Sequence, residues 1–494
     1  MLLRFKDITQ KNTLQFWQLT LFSTLVCFIN CFFYADSGIM YTVVFAEIMW
    51  LLFLLVRGRL QQYYCYYIIF MALSLEFPEF VGVENFYGFK TIGIGVANIG
   101  VLMILPLFVR ILLVRNFRIN KSSSFDVFFK QFSIIVGTAF ILGLLHWFFN
   151  DNGIAYYANA NLFINCMYIS VYIYVCLFCF FFISKKETFD IDYIENVLFS
   201  IIMAVSITML LSLIFSNYGV YGGVRTLQIC NLSMALPCCI VVFAYKNINI
   251  ERRLPVFIAS VILTLLSLMF NANGKTVLSL GVSVIFLMAV LFKRNKVFFL
   301  IFTVCIPLLF LIGLQSLDYM ANESFLLSIK LEQALSMIAF WRDRWFENLS
   351  LSPKARIQEF LTILVEYFNK PWDLFFGKGY MGSVLDNLGY FAGSTETGYS
   401  RFEIDHGIYI NMHESLNSMF LINGAYGLLF YLRHLFKVLR ISGLSFWGVI
   451  ATFWFGLFFS YSITIAVFGI TAFCLAFIIS DNDKKKNVYV NQVE

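Results

Sequence analysis

The chain runs as a succession of long apolar stretches cut by short polar clusters, and one polar stretch, from Leu317 to Ser415, breaks that rhythm. A helix needs roughly 20 mostly apolar residues to cross the hydrocarbon core of a bilayer, and cutting the chain at its polar clusters predicts about fourteen such spans. Their limits are 16–34, 38–56, 63–82, 91–114, 131–150, 162–184, 195–216, 226–245, 255–270, 275–292, 297–316, 416–432, 442–459 and 463–480. Glu76, Pro78 and Glu79 interrupt the third, and only Ser460, Tyr461 and Ser462 separate the last two. The pattern predicts an all-α polytopic membrane protein. Transmembrane helices 1–11 occupy residues 1–316, an extracytoplasmic loop domain 317–415, and helices 12–14 with a cytoplasmic tail 416–494. A short basic leader precedes the first span with no small-x-small cleavage site after it, so that span reads as a retained helix.

Inside the loop the period changes to that of amphipathic helices. Phe325 to Asn348 is one; Ser352-Pro353 opens a second with a cap and a proline at its first position. Ile357, Phe360, Leu361, Leu364, Val365 and Phe368 form its apolar stripe. Arg356 and Glu359 can pair off that stripe at i, i+3. Lys370-Pro371 stops the helix, and Phe376-Gly377-Lys378-Gly379-Tyr380-Met381-Gly382 is a glycine-rich turn without the spacing of a nucleotide loop. A structured turn and a phosphate cradle both remain open there. The rest, to Ile410, is irregular and polar and reads as a mobile lid.

Composition agrees with the pattern: 494 residues, 60% hydrophobic, 19% aromatic and 13% charged, with a mean hydropathy of +0.80, describe a chain solvated by lipid. The eleven cysteines lie in or beside apolar runs, with neither a disulfide framework nor metal-ligand spacing. No basic tract has a nucleic-acid footprint.

Charge adds a direction. With the N-terminus in the cytoplasm, the short loops divide Lys and Arg 24 to 3 in favour of the inside, so both termini are expected inside and the long loop outside. That loop holds 13 acidic and 8 basic residues. Three cations break the bias: Lys90, Arg225 and Lys275. Arg225 follows Tyr221-Gly222-Gly223-Val224 and Lys275 follows Asn271-Ala272-Asn273-Gly274, each at an outer helix start beside glycine. Such positions suit a phosphate group and equally suit anchoring to lipid headgroups. Glu47, deep in span 2, is expected to face the bundle interior.

His413 closes the loop, in Met412-His413-Glu414-Ser415-Leu416-Asn417-Ser418, ahead of a span carrying Gly424 and Gly427. This resembles the O-antigen ligase and polymerase family, whose large periplasmic loop ends in a histidine before a helix with a Gly-x-x-Gly-like pair. Arg225 with Asn231 to Pro237, Asn271 to Leu280, and Arg356 to Glu359 followed by Phe376 to Tyr380 fall in the order that family requires. The likeness covers residues 215 to 435. It departs from the pattern where Lys275 replaces an arginine and Glu414 an asparagine.

The resemblance implies a metal-independent glycosyltransferase, similar to the GT-C class, in the bacterial cytoplasmic membrane with its active face extracytoplasmic. It would transfer glycan from an undecaprenyl-pyrophosphate-linked oligosaccharide to an acceptor sugar hydroxyl. His413, Arg225 and Lys275 would be catalytic and Arg356, Glu359 and Glu414 substrate-binding. No cofactor, metal or nucleic acid is implied; membrane lipid and a chain-length regulator are the further partners. A polymerase of O-antigen, capsule or exopolysaccharide is favoured over an O-antigen ligase. A polysaccharide flippase is the reading of another class, although the internal repeat usual in transporters is absent.

Overall fold

The computed structural model of the protein describes residues 2–34, 36–74, 88–89, 93–94, 97–114, 123–149, 160–214, 253–271, 344–349, 351–386, 388–389, 401–409, 415–442, 446–453 and 467–481, with isolated positions at 288, 292, 296–297, 299–301, 303–304, 336, 399 and 412. Among these residues the structure is almost wholly helical, as the apolar pattern requires. Four helices are long and apolar enough to cross a membrane: Asn12–Phe32, Ser37–Val56, Ser124–His146 and Ile191–Leu211. They lie within α1 (Leu2–Phe32), α2 (Ser37–Val56), α6 (Ser123–Phe149) and α8 (Ile191–Ile214). Between α2 and α6 come α3 (Leu60–Ala72), α4 (Ile99–Leu102) and α5 (Ile104–Leu113); α7 (Ala160–Ser184) precedes α8 and α9 (Arg253–Asn271) follows it.

Two of the long helices mark the extremes of environment. Ser37–Val56 is apolar throughout yet only 28% buried, whereas Ile191–Leu211 is 83% buried. An apolar helix left open to its surroundings is at home in lipid, where every backbone polar group is satisfied within the helix. Glu47 is the buried exception on α2, as expected, and its Oε1 meets no hydrogen-bond donor among the described residues.

The helices pack in fixed directions. α1 and α8 run parallel: Asn12 donates to Asp192 at 3.1 Å, and Ser23 and Ser200 share a hydrogen bond at 3.0 Å. α3 and α7 run antiparallel, with Tyr67 bonded to Tyr172 and Tyr64 packed on Phe180. α6 is antiparallel to the later helix α13 (Ser415–Ser442), since Phe128 stacks on Phe430 and Asn423 donates to the Ile135 carbonyl. It is also antiparallel to the C-terminal helix Val467–Asp481, where Phe128 meets Phe473 and Phe477. There Asp481 is buried and caps α6 by accepting from the Ser124 amide and hydroxyl.

One predicted span begins differently. The run from 91 to 114 opens with a two-stranded hairpin, Gly93–Ile94 (β1) paired antiparallel with Ala97–Asn98 (β2), and helix starts only at Ile99, capped by the Asn98 side chain. Gly and Asn at these positions favour a turn over a continuous helix. The third predicted span is helical to Ala72; residues 75–82 of it, most of spans 10 and 11 and all of span 8 lie outside the described residues. Of the helix expected from Phe325 to Asn348, Ser336 is helical, Arg344 to Asn348 form a turn instead, closed by the Asn348 amide on the Arg344 carbonyl, and the rest lies outside the described residues.

Candidate functional site at the loop and bundle junction

The loop is built on α10 (Leu351–Asn369), which begins at Leu351, ahead of the Ser352 expected as its cap, and stops where Lys370-Pro371 places its end. Pro371 then opens the short helix α11 (Pro371–Phe376), where a missing amide costs nothing. A 3₁₀ turn, Gly379–Met381, leads to β3 (Val384–Leu385), which pairs antiparallel with β4 (Ile408–Tyr409) after helix α12 (Arg401–His406). The chain returns to the bundle through α13, followed by α14 (Phe446–Phe453).

The face that α10 buries most deeply lies beside the apolar stripe. Glu359, Thr362, Ile363, Glu366 and Tyr367, at i, i+3, i+4, i+7 and i+8, point inward; of the stripe, Phe360 and Leu364 are half-buried against the same core, and Val365 and Phe368 are exposed. A buried carboxylate has to be met by donors. Glu359 has no exposed surface, and its two oxygens accept from the Tyr399 hydroxyl and the Asn417 Nδ2, each at 2.7 Å. The same Asn417 amide group donates to the Arg356 carbonyl at 2.9 Å. Burial first, and the Glu359 carboxylate second, push the Tyr399 phenol well above the usual tyrosine range, so it remains a donor. Asn417 lies in the first turn of α13, so this carboxylate ties the loop helix to the start of the returning span.

The second carboxylate, Glu366, holds the glycine-rich turn. Lys378, 2% exposed, donates to Glu366 and to the Ser383 carbonyl, and the Leu385 amide donates to the other Glu366 oxygen. With its ammonium so engaged, Lys378 secures the turn and is not an open phosphate cradle. The turn itself is pressed into the bundle. At Gly377, φ is +72°, and a Cβ there would lie 2.5 Å from the backbone of Asn423 and Gly424. Gly424 answers it with φ 58° and ψ −154°, a break inside α13 that only glycine adopts readily. Gly379 lies as close against α6, where a Cβ would come within 2.4 Å of the Ala139 carbonyl. Tyr367 donates to the Leu421 carbonyl at 2.6 Å, and the Lys378 amide does so at 3.0 Å, satisfying a carbonyl that the break would strand. A small cleft beside the turn is lined by Ser170, Tyr380, Ser418 and Asn423 among apolar neighbours.

Comparison with family models, curated proteins and solved structures finds no match. The site is therefore argued from its own residues. Of those singled out in sequence, Arg356 and Glu359 are placed here, Arg356 half-buried and Glu359 sealed within the protein. Arg225, Lys275, His413 and Glu414 lie outside the described residues. Met412 and Asn417, on either side of His413 and Glu414 in the chain, are both buried, Met412 packing with Ile363, Tyr367, Tyr399 and Tyr409. Sequence reading passed over Tyr399, Glu366 and the His146–Asp373 contact of 3.9 Å between α6 and α11. Two acids seven apart on one helix face, Glu359 and Glu366, were the available signal.

Proposed function

We propose that the protein is a polymerase of bacterial surface polysaccharide, a fourteen-span membrane enzyme resembling the GT-C class. It transfers a growing glycan from its polyprenyl pyrophosphate to the sugar hydroxyl of a second lipid-linked glycan. The observation that carries this reading is the Glu359–Asn417 tie. It locks α10, which bears Arg356, to Asn417 in the first turn of α13, four residues after His413 in the chain.

In the reaction the acceptor oxygen attacks the anomeric carbon, the bond from that carbon to the pyrophosphate oxygen breaks, and polyprenyl pyrophosphate leaves. Neutral imidazole of His413 takes the acceptor proton. Arg225, Lys275 and Arg356 stabilise the charge that develops on the leaving group, where a water-poor site makes each cation count for more. Glu414 contacts the acceptor sugar, and Glu359, sealed as it is, acts by positioning Asn417 and Tyr399. The active face is the outer side of the bacterial cytoplasmic membrane, where no nucleotide sugar is at hand.

The test is product formation from purified lipid-linked repeat units without nucleotide. Loss of a general base typically costs about 100- to 10,000-fold, so His413→Ala should fall by that order with the protein still inserted, and His406→Ala far less. Arg225→Ala and Lys275→Ala should each abolish transfer, while Lys275→Arg retains it. Wild-type transfer by His413→Ala removes the base; wild-type transfer by both cation variants reduces those residues to lipid anchors. The glycans of a deletion strain separate the acceptors: single-repeat products mark a polymerase, and unattached long chains mark a ligase.

A further inference from the structure

The loop domain turns aromatic side chains outward where a soluble surface would carry polar ones. Phe368 is 67% exposed, Trp372 77%, Phe375 57% and Phe376 49%, with Trp372 and Phe376 stacked at 6.5 Å between ring centres. They continue the exposed end of the α10 stripe, Val365 and Phe368, into α11. An isolated exposed phenylalanine needs no explanation, but four such aromatics within nine residues do.

Their depth is fixed by contacts to α6. Asp373 lies 3.9 Å from His146, the last residue of the apolar segment Ser124–His146. Six residues later in the loop, Gly379 is packed against the backbone of Ala139 and Gly143. At 1.5 Å per residue, Gly143 and Ala139 lie roughly 4.5 and 10 Å inward of His146 along the helix. Phe375 and Phe376 therefore sit between the end of a membrane-crossing helix and a point well below it. On α6 itself Phe140, Ile141 and Leu145, at the same level, are exposed as well, so the aromatic edge of α11 continues an apolar surface of the bundle.

We propose that residues 368–376 form an interfacial anchor whose aromatic edge is embedded among the phospholipid acyl chains of the outer leaflet. Aromatic rings at the boundary, an exposed Lys370 between them and a buried polar face are the arrangement of an amphipathic helix lying in the membrane plane. Its apolar face is expected to reach about 5–10 Å into the headgroup and acyl boundary, which agrees with the descent measured along α6. The anchor presses the turn from Gly377 to Gly382 into the bundle and keeps the junction at a constant depth in the outer leaflet. It does not depend on the reaction proposed above.

The test is photocrosslinking of the full chain in vesicles of phosphatidylethanolamine and phosphatidylglycerol, with p-benzoylphenylalanine replacing Phe368, Trp372 or Phe376 in turn and Asp405, exposed on α12, as control. The replaced side chains are exposed and the probe is itself aromatic, so folding is not at stake. Adducts of phospholipid mass at the three aromatic positions, and their loss at Asp405, are expected; the vesicles contain no polyprenol, which identifies the source. Absence of lipid adducts at all three positions, adducts to a second protein chain instead, or equal labelling of Asp405 would each overturn the proposal.

Discussion

A carboxylate with no exposed surface depends on the donors it has, and at Glu359 two side chains from distant parts of the chain are among them. Removing one partner of a buried charged hydrogen bond costs about 1–3 kcal/mol or more, whereas removing both partners together costs less, because no charge is left short of a donor; the Tyr399 hydroxyl, which loses Glu359 in the double variant, limits the recovery. Asn417→Leu should therefore lower the thermal midpoint of the detergent-solubilised protein, and Glu359→Leu added to it should recover part of the loss. Size-exclusion chromatography after heating reads both. A wild-type midpoint for Asn417→Leu would mean that the carboxylate is served by other donors. Neither partner could be read from the sequence. Asn417 was visible only as part of the stretch after His413, and Tyr399 lay in what looked like an irregular lid; their meeting at residue 359 spans 58 and 40 positions of chain.

The same separation of local from non-local information holds for whole elements. The ends of α10 were legible to within two residues, because a proline in the first turn and Lys370-Pro371 at the stop are local devices, although Ser352 lies inside the helix and not at its cap. Its orientation was not. Periodicity says which residues share a face, not what that face meets, and beside a membrane an apolar face can turn to lipid while a polar one turns to partners inside. The break in α13 belongs to this scale too: Gly424 was legible as one of a glycine pair, but the reason for it, Gly377 seated against it, arrives from another element. A Cβ at Gly424 would lie 2.6 Å from the Gly377 amide nitrogen. Backbone strain of about 1–3 kcal/mol and a similar cost of overpacking should make Gly424→Ala severely destabilising. Gly137, exposed on α6 with nothing within 4 Å of an added Cβ, is the contrast. There Gly→Ala should be neutral or gain up to about 1 kcal/mol of helix stability. Equal melting of the two variants would show that the junction tolerates a methyl group and that the turn is not pressed against α13.

At the scale of the molecule, helix direction replaces helix limits as the informative quantity. Charge bias gave an orientation, and packing gives an independent constraint, since neighbouring helices must run parallel or antiparallel according to how many crossings separate them. α1 and α8 are parallel, as spans 1 and 7 must be; α6 opposes α7, α13 and Val467–Asp481, as span 5 must oppose spans 6, 12 and 14. Trp447, near the start of α14, donates to Glu195 near the start of α8, as expected of spans 13 and 7. α8 and α13 then run in opposite directions, as spans 7 and 12 of the expected topology do. The polar contacts sort by end: Asn12 with Asp192, Gln61 with the Asp190 carbonyl, Lys185 with Asp126 and Ser124 with Asp481 gather at one side. The loop meets the bundle at the other, through Asp373 and His146. Reporter fusions should accordingly place Lys485 in the cytoplasm and the loop from Leu317 to Ser415 outside. A phosphatase fusion, active only outside, and a fluorescent-protein fusion, fluorescent only inside, should give opposite results at the two sites. Activity of the same kind at both would require an odd crossing somewhere in the chain. It would break the parity on which the expected topology rests, and fluorescence at both sites would move the proposed active face to the cytoplasmic side.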